Sequence, residues 1–360
     1  MPINENTDLI ASYLFNDLKN SLAEITAKSH VRIKTVFFGG GTPSLMSPAS
    51  ISSILDYLNK NYDLNPHAEI TLEANPATFS KQKLKDFKSA GINRLSLGIQ
   101  SFQDKNLKFL GRIYNADQAI RSAETISEIF KNYSFDFMYG YETQSIHGLE
   151  QDLQMAVNFG CPHISCYQLT IEQNTPFFEK MRTGQLKPIT ETQEIEYFHF
   201  IGDFLRNFSI KRYEISNYAA DGYESRHNLA YWNYEDYLGI GPSAHSRITT
   251  TGYKMELQKF YSIDDWSREV SQNRLAYAVR RRLSVQEQLE EIFIMGLRLT
   301  DGISISSLTA KFPPDIIQPV LKRINFLAQQ GLICDFSQSR TKLTAQGLLK
   351  TNAVIDFLFS

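Results

Sequence analysis

The sequence predicts an α/β fold built on a parallel sheet. Within residues 33–170, short β-rich runs alternate with segments whose apolar residues recur at helical spacing, at a repeat of about 30 residues. Glycine or polar residues follow each run. Because the carboxyl ends of parallel strands meet at one edge, we expect a ligand site there. That placement holds for a barrel and for an open doubly wound sheet, so the alternation alone leaves both shapes open.

Hydrophobic periodicity predicts each element in turn. Ile10, Leu14, Leu18 and Leu22 recur at the spacing of a helix, which we predict over residues 8–25. The predicted strands span residues 33–38, 69–73, 94–98, 135–138 and 163–169. The predicted helices between them span residues 51–58, 79–90, 116–130 and 149–159.

The pattern changes after residue 190. A helix with an aromatic face is predicted over 192–207, and residues 213–250, rich in Tyr, Asn and Gly, read as a long structured loop region. Three consecutive arginines at Arg280–Arg282 predict a domain boundary. The remainder is typical of a winged-helix-like domain, which we interpret as structural or interacting, because a concentrated basic face for DNA is lacking.

We therefore expect three parts. They are an N-terminal helical segment at 1–32, a barrel with a binding extension at 33–250, and a C-terminal domain at 280–360.

Composition excludes several classes of protein. The formal net charge of −2, from 37 basic and 39 acidic residues, argues against a general nucleic-acid binder. Three cysteines do not make a disulfide scaffold and favour a reducing, cytoplasmic compartment. The sequence shows neither a signal peptide nor an apolar run of about 18 residues, so we expect a protein without a membrane span.

Polar residues at the strand ends are the first candidates for binding. Gly39–Ser44 directly follows a strand, and a glycine-rich turn lets backbone groups approach a ligand closely, although it equally suits a tight turn. Glu73, Gln100, Arg112 and Asp136 follow on the βα units. Each alone suits a helix cap or an ion pair; as a set, they favour a cofactor with amino, carboxylate and hydroxyl groups.

Two further motifs contain side chains that could bind a metal ion or haem iron, and each could instead be structural. His227 lies among tyrosines, and imidazole is a usual axial ligand of haem iron, although a lone histidine is more often structural. Cys161 and Cys166 lie five residues apart in an extended run, so their thiols are expected on opposite faces and we interpret them as packing residues.

Several motifs together resemble the radical S-adenosylmethionine enzymes related to oxygen-independent coproporphyrinogen III oxidase. These motifs are Gly39–Ser44, Glu73–Pro76, Gly98–Phe102, Leu110–Arg112 and Tyr167–Glu172. Three later motifs resemble the haem chaperones of that group: Arg212–Tyr218, His227–Trp232 and Tyr237–His245. The likeness begins near residue 8 and continues to the C terminus.

The resemblance implies a fold, ligands and partners. The fold is a partial (β/α)6 barrel followed by a small C-terminal domain of HemN type. S-adenosylmethionine would contact Gly40, Gly41, Thr42, Glu73, Gln100, Arg112 and Asp136. His227 would ligate haem. The protein would act in the cytoplasm as a homodimer and pass haem to haem proteins of the respiratory chain.

One departure from the family is large. The family begins with a strand and a C-x3-C-x2-C loop whose thiolates hold a 4Fe–4S cluster. This sequence has no cysteine before Cys161, and its helix at 8–25 matches the segment after that loop. We therefore expect a barrel that lacks its first strand and the cluster ligands, through a misplaced start codon or a truncated gene. No radical catalysis is expected without the cluster.

Two functions follow from the resemblance. The first is a haem chaperone on a scaffold that binds S-adenosylmethionine. The alternative is a radical enzyme of porphyrin biosynthesis, similar to oxygen-independent coproporphyrinogen III oxidase. The motif His227–Trp232 favours the chaperone. A cofactor-free βα enzyme is disfavoured, because the spacing gives no pair of nucleophile and base.

Overall fold

A computed structural model describes residues 3–26, 31–250, 252–334 and 340–360. The expected N-terminal segment at 1–32 therefore falls partly outside the described residues, at 1–2 and 27–30, as does the C-terminal domain at 335–339. Within the described ranges, no helix is both long and apolar enough to cross a lipid bilayer.

The chain divides into two compact units. The sheet unit comprises residues 35–48 and 69–224, and the terminal unit comprises residues 1–34, 49–68 and 225–360. The domain boundaries expected at 33–250 and 280–360 remain predictions.

The sheet of the sheet unit has seven strands. They are β1 (Arg32–Phe38), β2 (Asp63–Ala74), β3 (Arg94–Gln100), β4 (Tyr133–Tyr139), β5 (His163–Gln168), β6 (Lys211–Arg212) and β7 (Asn217–Ala219). Their order is β1-β2-β3-β4-β5-β7-β6. Strands β2 to β5 pair in parallel, whereas β7 pairs antiparallel with both β5 and β6. The five βα strands predicted from the sequence are all present.

Most helices of the sheet unit bury apolar side chains. The helices of this unit are α3 (Lys81–Ser89), α4 (Asp104–Phe109), α5 (Ala116–Ile129), α6 (Ile146–Asn158), α7 (Pro176–Arg182) and α8 (Glu191–Arg206). On β4, Phe135 and Phe137 are fully buried, while Asp136 between them remains partly exposed. This alternation places apolar residues on one face of the sheet and polar residues on the other.

The terminal unit combines helices with two small sheets. Its helices are α1 (Ile3–Thr26), α2 (Pro48–Asn61), α9 (Arg226–Trp232), α10 (Ile263–Ser271), α11 (Val285–Gly296), α12 (Ile305–Lys311), α13 (Pro314–Gln329), α14 (Ala345–Leu348) and α15 (Thr351–Phe359). Its strands are β8 (His245–Thr250), β9 (Tyr253–Lys259), β10 (Tyr277–Arg282), β11 (Ile303–Ser304) and β12 (Arg340–Thr341).

One expectation for the later part of the chain was wrong. The segment expected to be a loop region contains β7, α9 and β8, and short strands such as β7 form because a neighbouring strand supplies their hydrogen bonds. Arg280–Arg282 lie in β10, which pairs antiparallel with β9, and the domain boundary expected there stays a prediction. Local composition reveals neither kind of pairing.

Candidate functional site

The glycine-rich loop after β1 contacts the end of β2. β1 ends at Phe38, and Gly40 and Gly41 adopt φ angles of 78° and 59°, which glycine tolerates without a Cβ penalty. The Gly40 amide donates a hydrogen bond to Oε2 of Glu73 at 3.1 Å. The structure therefore brings together two of the seven residues that the resemblance assigns to S-adenosylmethionine.

The surroundings of Glu73 disfavour the charged form of its carboxyl group. Burial raises the pKa of Glu73 above its ordinary value, the hydrogen bond from Gly40 lowers it, and the negative charge of Asp136 raises it again. The two carboxylates are thus close enough to repel each other. A ligand that brings N–H donors or a positive charge relieves both burial and repulsion, so the site favours a cationic or amino-bearing ligand.

The carboxylate of Asp136 is held by two serines. Ser96 donates to Oδ2 at 2.7 Å and Ser134 donates to Oδ1 at 2.9 Å. The strand register explains this contact, because Glu73 pairs with Ser96 and Ser96 pairs with Ser134 across β2, β3 and β4. Each carboxylate oxygen keeps a second lone pair, and Asp136 is partly exposed, so it retains the capacity to accept a ligand's hydrogen bond.

Gln100 ends β3 in an unusual conformation. Its φ is 66°, and the register between β3 and β4 shifts between Leu97 and Gln100. A Cβ at Gly98 would lie 2.8 Å from Nε2 of Gln100 and 2.9 Å from Oδ1 of Asn75, so a side chain there would displace one or both of these amides. Such local strain is typical of functional sites, where the surrounding structure fixes a side chain.

The remaining two candidates lie in loops. Arg112 is exposed and follows Gly111, whose φ is 68°, between α4 and α5. Thr42 is half-buried and precedes the short 3-10 turn Pro43–Leu45. Within the described residues, no hydrogen bond or ion pair joins either side chain to Glu73 or Asp136, so their roles rest on the resemblance alone.

His227 lies in the terminal unit, on α9, whose N-cap is Ser225. Its half-buried ring meets the ring of Tyr231, one helical turn later, at 4.9 Å and 82°. Tyr231 in turn meets Tyr237 at 4.3 Å, and burial together with Tyr237 raises the pKa of Tyr231 to about 12. The tyrosines therefore stay neutral near pH 7, and this aromatic cluster suits a flat macrocycle.

Trp232, the last residue of α9, adds an unsatisfied donor. Its indole Nε1 is buried and finds no acceptor among the described residues. A buried unpaired donor is rare in a native protein and marks a place where a ligand or a water supplies the acceptor.

Sequence reasoning missed His163. It assigned the surrounding segment to packing, and both thiols of that segment, Cys161 and Cys166, are indeed buried, which raises their pKa well above the ordinary value. His163 itself bonds with Ser134 and with Tyr213, each at 2.9 Å. The signal was present, because polar residues recur at period two along β5 and face the same side as Asp136.

A cavity of about 260 Å³ opens beyond the ends of β4 and β5. Its wall mixes apolar side chains with polar ones, among them Glu142, Gln168 and Lys187. None of the seven residues assigned to S-adenosylmethionine lines this cavity.

The cysteines do not fit a 4Fe–4S cluster. All three cysteines of the sequence lie in the described part of the chain, and they are free. The described residues contain no group of three or more His, Cys, Asp or Glu side chains that could hold a metal ion. We therefore assign no cluster and no radical step to this chain.

Family models and a solved structure agree with this fold. The radical SAM superfamily model matches residues 13–156, and the HemN C-terminal domain model matches residues 283–349. The structure of coproporphyrinogen III oxidase (HemN) from Escherichia coli superimposes with a TM-score of 0.81 at 19% identity, covering 100% of this chain and 85% of that one. The fold is therefore that of the radical SAM half-barrel with a C-terminal domain, as the resemblance implied.

Curated relatives narrow the class further. The haem chaperone HemW of Bacillus subtilis is 34% identical over 346 residues, covering 94% of this chain and 89% of the relative. HemW of Buchnera aphidicola (Schizaphis graminum) is 42% identical over 240 residues, 66% of this chain, and the alignment spans 61% of that relative. A zebrafish protein, mitochondrial radical S-adenosyl methionine domain-containing protein 1, is 36% identical over 312 residues, or 83% of this chain and 69% of the relative. This chain belongs to the HemW family.

Proposed function

We propose that this chain is a haem chaperone that binds haem and transfers it to haem proteins of the respiratory chain. One observation carries the proposal: His227 lies half-buried on α9 against the rings of Tyr231 and Tyr237. Imidazole is a common axial ligand of haem iron, and aromatic rings pack well against a porphyrin face. The names of the curated relatives support the same assignment.

We also propose that the sheet unit of this chain binds S-adenosylmethionine. The supporting geometry is the loop at Gly40 bonded to Glu73, and Asp136 held by two serines with lone pairs to spare. The carboxylates accept hydrogen bonds from the amino and hydroxyl groups of the ligand, and Arg112 pairs with its carboxylate. The full set is Gly40, Gly41, Thr42, Glu73, Gln100, Arg112 and Asp136. When bound, S-adenosylmethionine brings a sulfonium cation to these carboxylates.

The working environment of the protein is part of the same proposal. Its three free cysteines suit a reducing compartment, which supports the cytoplasm. The family resemblance supports a homodimer. Acceptors are apo forms of respiratory haem proteins, which must meet the chaperone at the surface of the membrane.

Haem titration tests the chaperone assignment. We expect the full chain to bind haem with a Soret band that shifts on binding, and we expect His227→Ala to abolish or displace that band. The matched control is His199→Ala, because His199 is exposed on α8 and its ring lies beside that of Phe198. If both variants bind haem like the parent, the ligand lies elsewhere, and His245 at the start of β8 is the next variant to examine.

Calorimetry tests the cofactor assignment. Glu73→Ala and Asp136→Ala each remove a charge-assisted hydrogen bond to the ligand, which contributes about 1.5–3 kcal/mol, so affinity for S-adenosylmethionine should fall about tenfold or more. The control is Glu150→Ala, which removes a partly exposed carboxylate on α6. Unchanged affinity in both site variants would refute the assignment.

A further inference from the structure

A chain of hydrogen bonds connects Tyr213 to Asp136 inside the sheet unit. Nε2 of His163 lies 2.9 Å from the Tyr213 hydroxyl, and Nδ1 lies 2.9 Å from Oγ of Ser134. Ser134 then donates to Oδ1 of Asp136 at 2.9 Å. Ser165 adds a second contact to Ser134, at 3.2 Å.

The hydrogen bond that Ser134 donates to Asp136 determines where the other hydrogens of this hydrogen-bonded series lie. A serine hydroxyl has a single hydrogen, and Ser134 gives it to Asp136, so its oxygen must accept from both His163 and Ser165. Nδ1 of His163 therefore carries the hydrogen, and Nε2 accepts from the hydroxyl of Tyr213. All donors thus point toward the carboxylate of Asp136.

Burial keeps this arrangement fixed. Ser134, His163 and Ser165 are at most 2% exposed, so water does not compete for their hydrogen bonds. Burial and the nearby positive charge of Arg94 hold the pKa of His163 well below its ordinary value. The ring is therefore neutral near pH 7, which the alternation of one donor and one acceptor nitrogen requires.

We propose that Ser134, His163 and Tyr213 are positioning residues that hold the carboxylate of Asp136 in the orientation in which it accepts a hydrogen bond from S-adenosylmethionine. This inference rests on the proposed cofactor site. Ser96 fixes the other carboxylate oxygen at 2.7 Å, so both oxygens are anchored from the strand side. Each carboxylate oxygen keeps a lone pair for the ligand, which therefore meets a side chain whose orientation is already restrained by two hydrogen bonds.

We call the hydrogen-bonded series Tyr213, His163, Ser134 and Asp136 the relay. A double-mutant cycle on the full chain tests it. Affinity for S-adenosylmethionine is measured by calorimetry for the parent, Tyr213→Phe, Ser134→Ala, Asp136→Asn and the double variant of Ser134 and Asp136. We expect Tyr213→Phe and Ser134→Ala each to lose about three- to tenfold affinity, as for one neutral hydrogen bond. Because Ser134 acts through Asp136, the double variant should bind no more weakly than Asp136→Asn.

The control separates positioning from plain loss of stability. Tyr133→Phe also removes a buried hydroxyl from the sheet, one that donates to the carbonyl of Phe159, outside the relay. It should lower Tm about as much as Tyr213→Phe and leave affinity unchanged. Nitrogen-15 NMR of the side chain should show His163 with its hydrogen on Nδ1 in the parent.

The outcomes distinguish the two proposals. A parent that binds no S-adenosylmethionine overturns the proposed cofactor site and the relay with it. If Asp136→Asn weakens binding but Ser134→Ala and Tyr213→Phe bind like the parent, only the relay is wrong. Additive losses in the cycle, or a hydrogen on Nε2 of His163, also overturn the relay alone.

Discussion

Replacing Lys259 with methionine should destabilise the terminal unit more than any surface substitution. Nζ of Lys259 forms an ion pair with Oδ1 of Asp17 at 2.6 Å, and both side chains are fully buried. Asp17 also accepts hydrogen bonds from Nε1 of Trp266 and from the amide of Gly241, each at 3.0 Å. This one carboxylate therefore joins α1 to β9, to α10 and to the loop before β8.

The expected magnitude follows from what Lys259→Met leaves behind. Methionine fills a similar volume, but Asp17 becomes a buried charge without a counter-charge, which costs about 3–5 kcal/mol. For a unit of 150–250 residues each kcal/mol lowers Tm by roughly 2–4 °C, so Tm should fall by about 6–20 °C. Burial lowers the pKa of Lys259, whereas the negative charge of Asp17 and its hydrogen bond raise it. The charged form of Lys259 therefore depends on Asp17.

Thermal and urea denaturation measure this loss. The matched control is Lys34→Met, because Lys34 pairs with Glu235 at 2.7 Å while 62% and 41% of the two side chains are exposed. Exposed pairs contribute about 1 kcal/mol or less. Adding Asp17→Asn to Lys259→Met should recover part of the loss, since it removes the unpaired charge. If Lys259→Met lowers Tm no more than Lys34→Met does, the buried pair of Asp17 and Lys259 does not stabilise the terminal unit.

Two further predictions concern the strand-end site. The pKa of Glu73 is raised in the folded state, so ionisation of this carboxyl destabilises the fold. The free energy of unfolding should therefore fall as the pH rises from 4.5, the ordinary pKa of a glutamate, through the folded-state pKa of Glu73. Glu73→Gln should flatten this part of the stability profile, and an unchanged profile in urea melts would contradict it. Gly98→Ala places a Cβ 2.8 Å from Nε2 of Gln100 and should weaken S-adenosylmethionine binding about tenfold or more. The same clash should lower the free energy of unfolding by about 1–3 kcal/mol. Gly202→Ala on α8, where a Cβ meets its nearest atom at 3.4 Å, should leave affinity unchanged, and equal affinity in both alanine variants would refute the steric reading.

The sequence predicted the βα core because its information is local. Apolar periodicity predicted strands β1 to β5, and the polar residues after them predict a ligand site at the carboxyl ends of these strands. Glu73 and Gly40 are 33 residues apart in sequence, yet βα topology alone brings them to one edge of the sheet, where they are bonded at 3.1 Å.

The remaining features depend on partners that are distant in sequence. β7 exists through its pairing with β5, and Asp17 finds Lys259 242 residues away. Neither partner leaves a local signal of pairing. The relay through His163 was missed for a related reason: a lone buried histidine looks structural until its neighbours on β4 and after β6 are known.

Haem transfer distinguishes a haem chaperone from a protein that only binds haem. The haem-loaded chain is mixed with increasing amounts of an apo b-type haem protein of the respiratory chain, and the growth of the acceptor's Soret band is followed in time. A chaperone that docks with its acceptor predicts a transfer rate that rises with acceptor concentration and saturates. The His199→Ala variant should transfer haem like the parent, whereas His227→Ala should carry none. A transfer rate independent of acceptor concentration would show passive release of haem and contradict the proposed function.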